Sequence, residues 1–311
     1  MNPATGGMTK LTDYAMEDDA YPLAIVAHPT LDILYVTTTD RKIRVLEVDP
    51  ATGTPAEVQS INSVGVARID ITPDGNYLFT SNLADELGAD DARKIYSYTV
   101  DSDGTLASSD EKDLGQRISY FKVGHDSTAL FVTFRNNAPN NNLICSYSID
   151  PPTGNLTFLN SEELGNSPGM IAISGEYTYA AATASGDIWR TEDASDLGDK
   201  RVIYATCGTS QAITIVGSHL YGVNLGNDTI TEFTISQTDG TLTEGTGVAI
   251  PAGSQIWQIN ADPDGKFLYV FDWLTSDMTG YRINATTGAL TSLGSVGTTG
   301  GGPMQMAFIK H

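Results

Sequence analysis

Hydrophobic and polar residues alternate in short runs along the whole chain, and no stretch sustains the 3.6-residue period of an amphipathic helix. Four runs share one phrase: AHPTLDILYVT (27–37), TPDGNYLFTSN (72–82), GHDSTALFVTF (124–134) and DPDGKFLYVFD (262–272). SGEYTYAAA (174–182) and VGSHLYGVN (216–224) are shortened versions of it. Each opens on a turn of Pro, Asp, Gly or Ser and runs into aromatic and aliphatic residues, which predicts a tight reversal feeding a strand. A second run with its own alternation follows, as in KIRVLEVD, KIYSYTVD, LICSYSID, TITEFTIS and MTGYRIN. A third phrase then recurs as DPATGTP, DSDGTLA, DPPTGNL, QTDGTLT and NATTGAL, a hairpin turn leading to an outer strand.

One equivalent position on the first strand of each unit falls at Ala24, Arg68, Tyr120, Met170, Ala212, Gln258 and Gln305. The spacings of 44, 52, 50, 42, 46 and 47 residues, with four short strands per repeat, predict the blades of an all-β β-propeller. One propeller domain over 1–311 is the simple organisation, with ADELGADDARK (84–94) as an elongated loop of the second blade. Naming the strands A to D from the axis outward, the chain offers seven A strands but six B and six C strands. GGPMQMAFIKH at the C-terminus reads as a lone A strand, and NPATGGMTKLTDYA at the N-terminus reads as a turn plus D strand. The preferred reading is a seven-bladed propeller whose last blade is incomplete, formed by the two chain ends, with Met1 an internal methionine of a longer parent. The alternative is six blades with extra terminal strands. An incomplete blade exposes strand edges and invites self-association.

Charge narrows the partners. Of 311 residues 38 are acidic and 17 basic, giving −21, and a chain so poor in Lys and Arg is not built to neutralise a phosphate backbone; no nucleic-acid partner is expected. Hydrophobic residues at 40% and charged ones at 18% describe a globular chain. No apolar run reaches membrane-spanning length, and MNPATGGMTK lacks the apolar core of a signal peptide. Cys145 and Cys207 make neither a disulfide framework nor a metal quartet and read as buried, inert thiols. With unpaired cysteines and no export signal the expected location is the cytoplasm, or the cell surface or exterior if the N-terminus is truncated.

The PDG turns, YVxN-like strand ends and DPxTGxL hairpins resemble the lactonase family of seven-bladed propellers, which includes 6-phosphogluconolactonases and carboxymuconate lactonising enzymes. The resemblance covers nearly all of the chain. It implies a sugar lactone or related small anionic substrate, bound over the central channel. Enzymatic members often carry a GPRH-like phrase opening a middle blade and an NEL-like phrase ending its second strand. The third repeat here has RISYFKV and TFRNN at those places, so Tyr120 stands where the family's His would be, and no family catalytic residue carries over.

Propeller connectivity places the D-to-A and B-to-C connections on the ligand face. His28, His125 and His219 fall in A-to-B turns on the other face and read as turn and surface residues, and His311 is the last residue. Arg68 is the one charged residue of the axial column; Arg117 precedes an A strand, and Arg41 and Arg135 lie in B-to-C loops. Guanidinium groups bind carboxylate or phosphate through paired hydrogen bonds, so these four are the candidate anion ligands, with pairing to Asp40 or Asp70 as the structural alternative. Gln258 and Gln305 share the column with Arg68. Trp257 and Trp273 lie near the rim of the sixth blade, where Trp257 is placed to stack on a sugar face or to pack between blades. Asn82, Asn224 and Asp272 end B strands and offer oxygen ligands for Ca²⁺, or caps for local backbone groups. Asp272 is also the candidate carboxylate for assisting water. Three functions follow in order of support: hydrolase of an anionic sugar lactone such as 6-phosphogluconolactone, non-enzymatic platform for a protein or glycan, and surface or assembly protein.

Overall fold

The computed structural model describes residues 1–2, 4–10, 13–16, 20–82, 91–134, 142–164, 167–175, 177–182, 186–192, 197, 201–204, 210–245, 247–251, 254–272, 274–298 and 305–309. Among the described residues six antiparallel sheets follow one another along the chain, each a meander of four strands paired in sequence order. Sheet 1 comprises β1 (Pro22–Ala27), β2 (Ile33–Thr38), β3 (Lys42–Val48) and β4 (Pro55–Asn62). Sheet 2 comprises β5 (Arg68–Ile71), β6 (Tyr77–Ser81), β7 (Lys94–Val100) and β8 (Leu106–Asp113). Sheet 3 comprises β9 (Ile118–Val123), β10 (Ala129–Phe134), β11 (Leu143–Ile149) and β12 (Leu156–Glu163). Sheet 4 comprises β13 (Pro168–Ser174), β14 (Tyr177–Ala182), β15 (Asp187–Glu192) and β16 (Arg201–Tyr204). Sheet 5 comprises β17 (Ser210–Val216), β18 (His219–Asn224), β19 (Thr229–Ile235), β20 (Leu242–Glu244) and a short β21 (Val248–Ala249) that also pairs with β19. Sheet 6 comprises β22 (Ile256–Ala261), β23 (Phe267–Asp272), β24 (Asp277–Ile283) and β25 (Leu290–Thr298).

These meanders make the chain an all-β propeller. The six expected columns from Ala24 to Gln258 all lie on first strands. The further sheet expected from the two chain ends has no strand among the described residues, and neither Met1–Lys10 nor Gln305–His311 carries one there. Sheets 1 to 3 belong to one compact unit, Leu11–Ser161 with Gln305–His311, and sheets 4 to 6 to a second, Met1–Lys10 with Glu162–Met304. Among the described residues no helix is long and apolar enough to cross a membrane.

Each second strand is buried on both faces because alternate side chains feed different cores. In β6, Tyr77 and Phe79 pack with Phe121, Leu130 and Val132 of sheet 3. Leu78, pointing the other way, packs with Tyr35, Ile43 and Val45 of sheet 1. The second unit is built alike: Phe233 and Leu220 join Tyr179 and Ile188, while Tyr221 and Val223 join Leu268 and Val270. Outer strands, by contrast, expose most of their residues, as β4 does.

The C-to-D hairpins close on an Asx turn. Asp49 Oδ1 accepts the amides of Ala51 (2.8 Å) and Thr52 (2.9 Å), and Gly53, at φ 69°, returns its amide to the Asp49 carbonyl. A left-handed residue is required there, which is why the phrase ends in glycine. Tyrosines then link sheet to sheet. Tyr35 donates to the Gly104 carbonyl, Tyr179 to Gly240 and Tyr221 to Gly288, at 2.8–2.9 Å, each to the hairpin of the following sheet. Burial pushes these phenols upward, so they remain donors at any workable pH.

Candidate functional site

First strands enter their sheets through a register shift. It occurs between Pro22 and Ala24, between the partners of Thr133 and Phe134 (Tyr120 and Ile118), between Pro168 and Ile171, between Ser210 and Ile213, and between Ile256 and Gln258. Such bulges re-aim the side chains beside them. The column read from the sequence therefore sits where five of the six sheets bend.

In the first unit β5, whose pairing with β6 is regular, and β9, which carries the shift, bring four polar side chains together. Arg68 donates through Nε to the Ser119 carbonyl at 3.0 Å, and its Cζ lies 4.8 Å from the centre of the Tyr120 ring. Two residues further along each strand, Lys122 Nζ donates to Asp70 Oδ1 at 3.0 Å, and Asp70 Oδ2 accepts the Val123 amide at 2.9 Å. The period of two puts Arg68 with Asp70 on one face of β5, and Tyr120 with Lys122 on one face of β9. Asp70 is thus spent on Lys122 and on the backbone, not on Arg68. Beyond the Nε contact, the Arg68 guanidinium makes no hydrogen bond or ion pair with the described residues.

The electrostatics favour an anion at this point. Arg68 is half-buried, and desolvation lowers its pKa, outweighing the pull of Tyr120; an uncompensated guanidinium of this kind gains from a negative ligand. Burial also opposes the Lys122 ammonium, but the Asp70 and Tyr120 fields and the Asp70 hydrogen bond outweigh it and raise its pKa. Burial raises the Tyr120 phenol despite nearby Lys122 and Arg68. The cluster sets a guanidinium, a lysine amine and a phenol beside Asp70, whose two oxygens are both engaged. It can bind and polarise an anion or a carbonyl oxygen; it holds no ready base.

A family model described as Lactonase, 7-bladed beta-propeller, matches residues 84–209 and 204–308. The chain belongs to this lactonase family. Its fold is also that of several solved structures. A periplasmic gluconolactonase of Pseudomonas aeruginosa superposes with a TM-score of 0.76 at 15% identity, over 98% of this chain and 92% of that one. A putative 6-phosphogluconolactonase of Bacteroides uniformis gives 0.75 at 18%, over 93% and 88%. One from Bacteroides fragilis gives 0.68 at 18%, over 88% and 83%. No curated protein matches the sequence. The family description counts seven blades, and the described residues of this lactonase-family chain build six sheets.

The other candidates of this lactonase-family chain are distributed as follows. Arg41 is exposed, at φ 61°, while the adjacent Asp40 is taken up by Arg44 (2.9 Å), Lys42 (3.3 Å) and the Thr38 hydroxyl. Arg117 is half-buried just ahead of β9. Gln305 accepts the Ile25 amide at 2.8 Å through Oε1, and Gln258 is buried in β22 opposite Phe271. Arg135, Trp273, Cys207, His311 and the side chain of Trp257 lie outside the described residues.

The rim oxygens serve the backbone. Asn82, one residue past the end of β6, accepts the Val66 amide at 3.0 Å, and Asn224 accepts that of Gly226 at 2.9 Å. Asp272 Oδ1 accepts Leu274 (2.9 Å), Gln255 (3.3 Å) and Thr275 (3.3 Å). Burial raises the Asp272 pKa, but these amides outweigh it and leave the carboxyl below its usual range. Amide donors converging on these oxygens are the opposite of what a cation needs. Among the described residues no group of three His, Cys, Asp or Glu could hold a metal ion. The three oxygens do not fit a shared Ca²⁺. Beside Asp272 opens a cleft of roughly 400 Å³ walled by Ser254, Thr275, Asp277 and Tyr281 among others, with no cation on its lining.

The histidines correct the expectation that all are surface residues. His125 is exposed, but His28 and His219 are buried. Nδ1 of His28 accepts the amides of Thr30 (3.2 Å) and Leu31 (3.0 Å), and Nδ1 of His219 lies 2.7 Å from Glu232 Oε1. Both also lie against a glycine of the following sheet, His28 against Gly75 and His219 against Gly288. Lys122 is the site residue that sequence reading missed; its signal was the alternation in RID (68–70) and YFK (120–122), which puts a second charge two residues from each column position.

Proposed function

We propose that this chain is a lactone hydrolase that receives a small anionic sugar lactone, of the 6-phosphogluconolactone type, at Arg68. The observation that carries the reading is the Arg68 guanidinium, oriented by the Ser119 carbonyl and the Tyr120 ring with its terminal nitrogens unspent. The phosphate or carboxylate of the substrate takes those nitrogens in a paired contact. Lys122 lies two residues from Tyr120 on the same strand face and stabilises negative charge that develops on the carbonyl oxygen as water adds. In the balanced reaction water adds to the lactone carbonyl, the ring C–O bond breaks, the ring oxygen leaves as a hydroxyl, and the new carboxylic acid releases one proton.

A second reading, a non-catalytic anion-binding platform, is favoured by one observation: Asp70, the carboxylate of the cluster, is already held by Lys122 and Val123. Proton release from phosphorylated and plain sugar lactones separates the two. Hydrolysis above the spontaneous rate that falls at least ~10-fold in Arg68→Ala, with Arg68→Lys intermediate, supports the hydrolase. Binding of the anionic product without hydrolysis supports the platform.

A further inference from the structure

His219 stands where the other sheets place an apolar or aromatic side chain. The first residue of the second strand is Ile33, Tyr77, Ala129, Tyr177 and Phe267 in sheets 1, 2, 3, 4 and 6. In sheet 5 it is a buried histidine whose Nδ1 lies 2.7 Å from Oε1 of Glu232, itself buried on the neighbouring strand. Thr234 Oγ1 donates to the same carboxylate oxygen at 3.2 Å. A buried pair of this kind adds little stability over apolar residues of the same volume, so packing does not account for it.

The carboxylate accepts the Nδ1 proton, which leaves Nε2 as the lone-pair nitrogen of the neutral ring. Gly288 lies against the same Nδ1 edge. The Nε2 edge is left to a cleft of roughly 580 Å³, which His219 walls together with Ser218 of its own sheet and Asp262 and Asp264 of sheet 6. There Nε2 makes no hydrogen bond with the described residues. His28 shows the contrast: its Nδ1 accepts two amides, and the ring is also bonded to the Gly75 backbone. Asp262, in the turn between β22 and β23, supplies a second open acceptor. It is 4% exposed, its Oδ1 accepts the amides of Lys266 (2.7 Å) and Phe267 (2.6 Å), and its Oδ2 has no hydrogen bond or ion pair among the described residues. No Lys or Arg lines the cleft, and Lys266, close by in the chain, is held 2.9 Å from Asp264.

We propose that this cleft is a binding site for a primary ammonium group, carried by a free alkylamine or a lysine side chain. An ammonium brings N–H donors and one positive charge to a cleft whose open groups are acceptors. His219 Nε2 takes one hydrogen bond, and Asp262 Oδ2 takes a charge-assisted one. Glu232 is a positioning residue: it holds the ring proton on Nδ1 and so keeps Nε2 an acceptor. The carboxylates reject an anion, and a neutral polyol supplies donors without the charge. The cleft uses no residue of the Arg68 cluster, so it stands independently of what Arg68 binds.

The test titrates the full chain, labelled with ¹⁵N-histidine, with putrescine, Nα-acetyl-lysinamide and butanediol at about pH 8, above the usual imidazole range. The His219 ring nitrogens are followed by NMR and assigned from their absence in His219→Gln. In the free protein Nδ1 should carry the proton and Nε2 the lone pair; a ring protonated at Nε2 overturns the proposal. At least one amine should shift Nε2 saturably, the tighter of the two naming the source, and butanediol should bind at least ~10-fold more weakly. Asp262→Asn keeps an oxygen for the Lys266 and Phe267 amides and should weaken the amine at least ~10-fold. The proposal fails if neither amine gives a saturable shift, if butanediol binds equally, or if folded Asp262→Asn binds as wild type does. If Asp262→Asn unfolds, Ser218→Lys takes its place. A cation on the cleft wall should also weaken the amine at least ~10-fold, and unchanged binding overturns the site.

Discussion

Replacing Tyr179 or Tyr221 by phenylalanine isolates what one hydroxyl contributes to joining neighbouring sheets. Both rings are fully buried, and each Oη donates at 2.8 Å to a buried glycine's carbonyl. Sheets 2 and 3 already carry phenylalanine at the same third position, Phe79 and Phe131, and both are buried. The ring therefore packs without a hydroxyl, and no cavity term is added. What remains is the net value of one hydrogen bond, about 1 kcal/mol, plus the cost of an unpaired buried carbonyl, for a total of roughly 1–3 kcal/mol. With a urea m-value of about 2–3 kcal/mol/M, the midpoint of the transition involving sheets 4 to 6 should drop by about 0.3–1.5 M with m unchanged. Gly288→Ala should cost more than Tyr221→Phe, because it imposes a left-handed φ of 68° on alanine as well as contact with His219. A Tyr→Phe midpoint equal to or above wild type would refute the view that these hydroxyls link the sheets.

Three further outcomes follow from the same contacts. Burial lowers the His28 pKa against the opposing bond to Gly75, and Nδ1 accepts two amides, so the neutral ring is the folded form. The stability it contributes is present above the unfolded value of about 6.5 and is lost as pH falls below that value; His28→Ala should flatten the urea midpoint between about pH 7 and 5. Asp272, depressed by its amide partners, contributes stability that is present above about pH 4 and lost as pH falls through its lower folded value. Asp272→Ala should cost about 2 kcal/mol at pH 7 and much less at pH 2–3, read by urea melts at both. Burial pushes the Cys145 thiol up to about 12, so peptide mapping should find it unmodified by iodoacetamide at pH 8 in folded protein and labelled in urea.

The strands were legible because each repeat carries its own turn chemistry: the PDG reversal and the Asx–Gly hairpin act within a few residues, and all six columns from Ala24 to Gln258 lie on first strands. The partners of Asp70 were not legible. Its contact with Lys122 spans 52 residues, and only the stacking of one first strand on the next brings the two together. The same distance hid the tyrosine contacts, whose glycine acceptors lie 61–69 residues away. Asn82, Asn224 and Asp272 show the reverse case. Their positions at strand ends were read correctly to within one residue, but the oxygens were needed by amides two or three residues beyond the strand, or by those just ahead of the first strand. For His219, the turn position was visible while the facing Glu232, 13 residues on, was not.

The measurement that bears most directly on Arg68 is calorimetric titration of 6-phosphogluconate into wild type, Arg68→Ala and Arg68→Lys at low and high salt. Saturable binding to wild type, weakened at least ~10-fold in Arg68→Ala and partly kept in Arg68→Lys, is the expected result. Equal binding by wild type and Arg68→Ala, with both proteins folded, would place the anion elsewhere and contradict it.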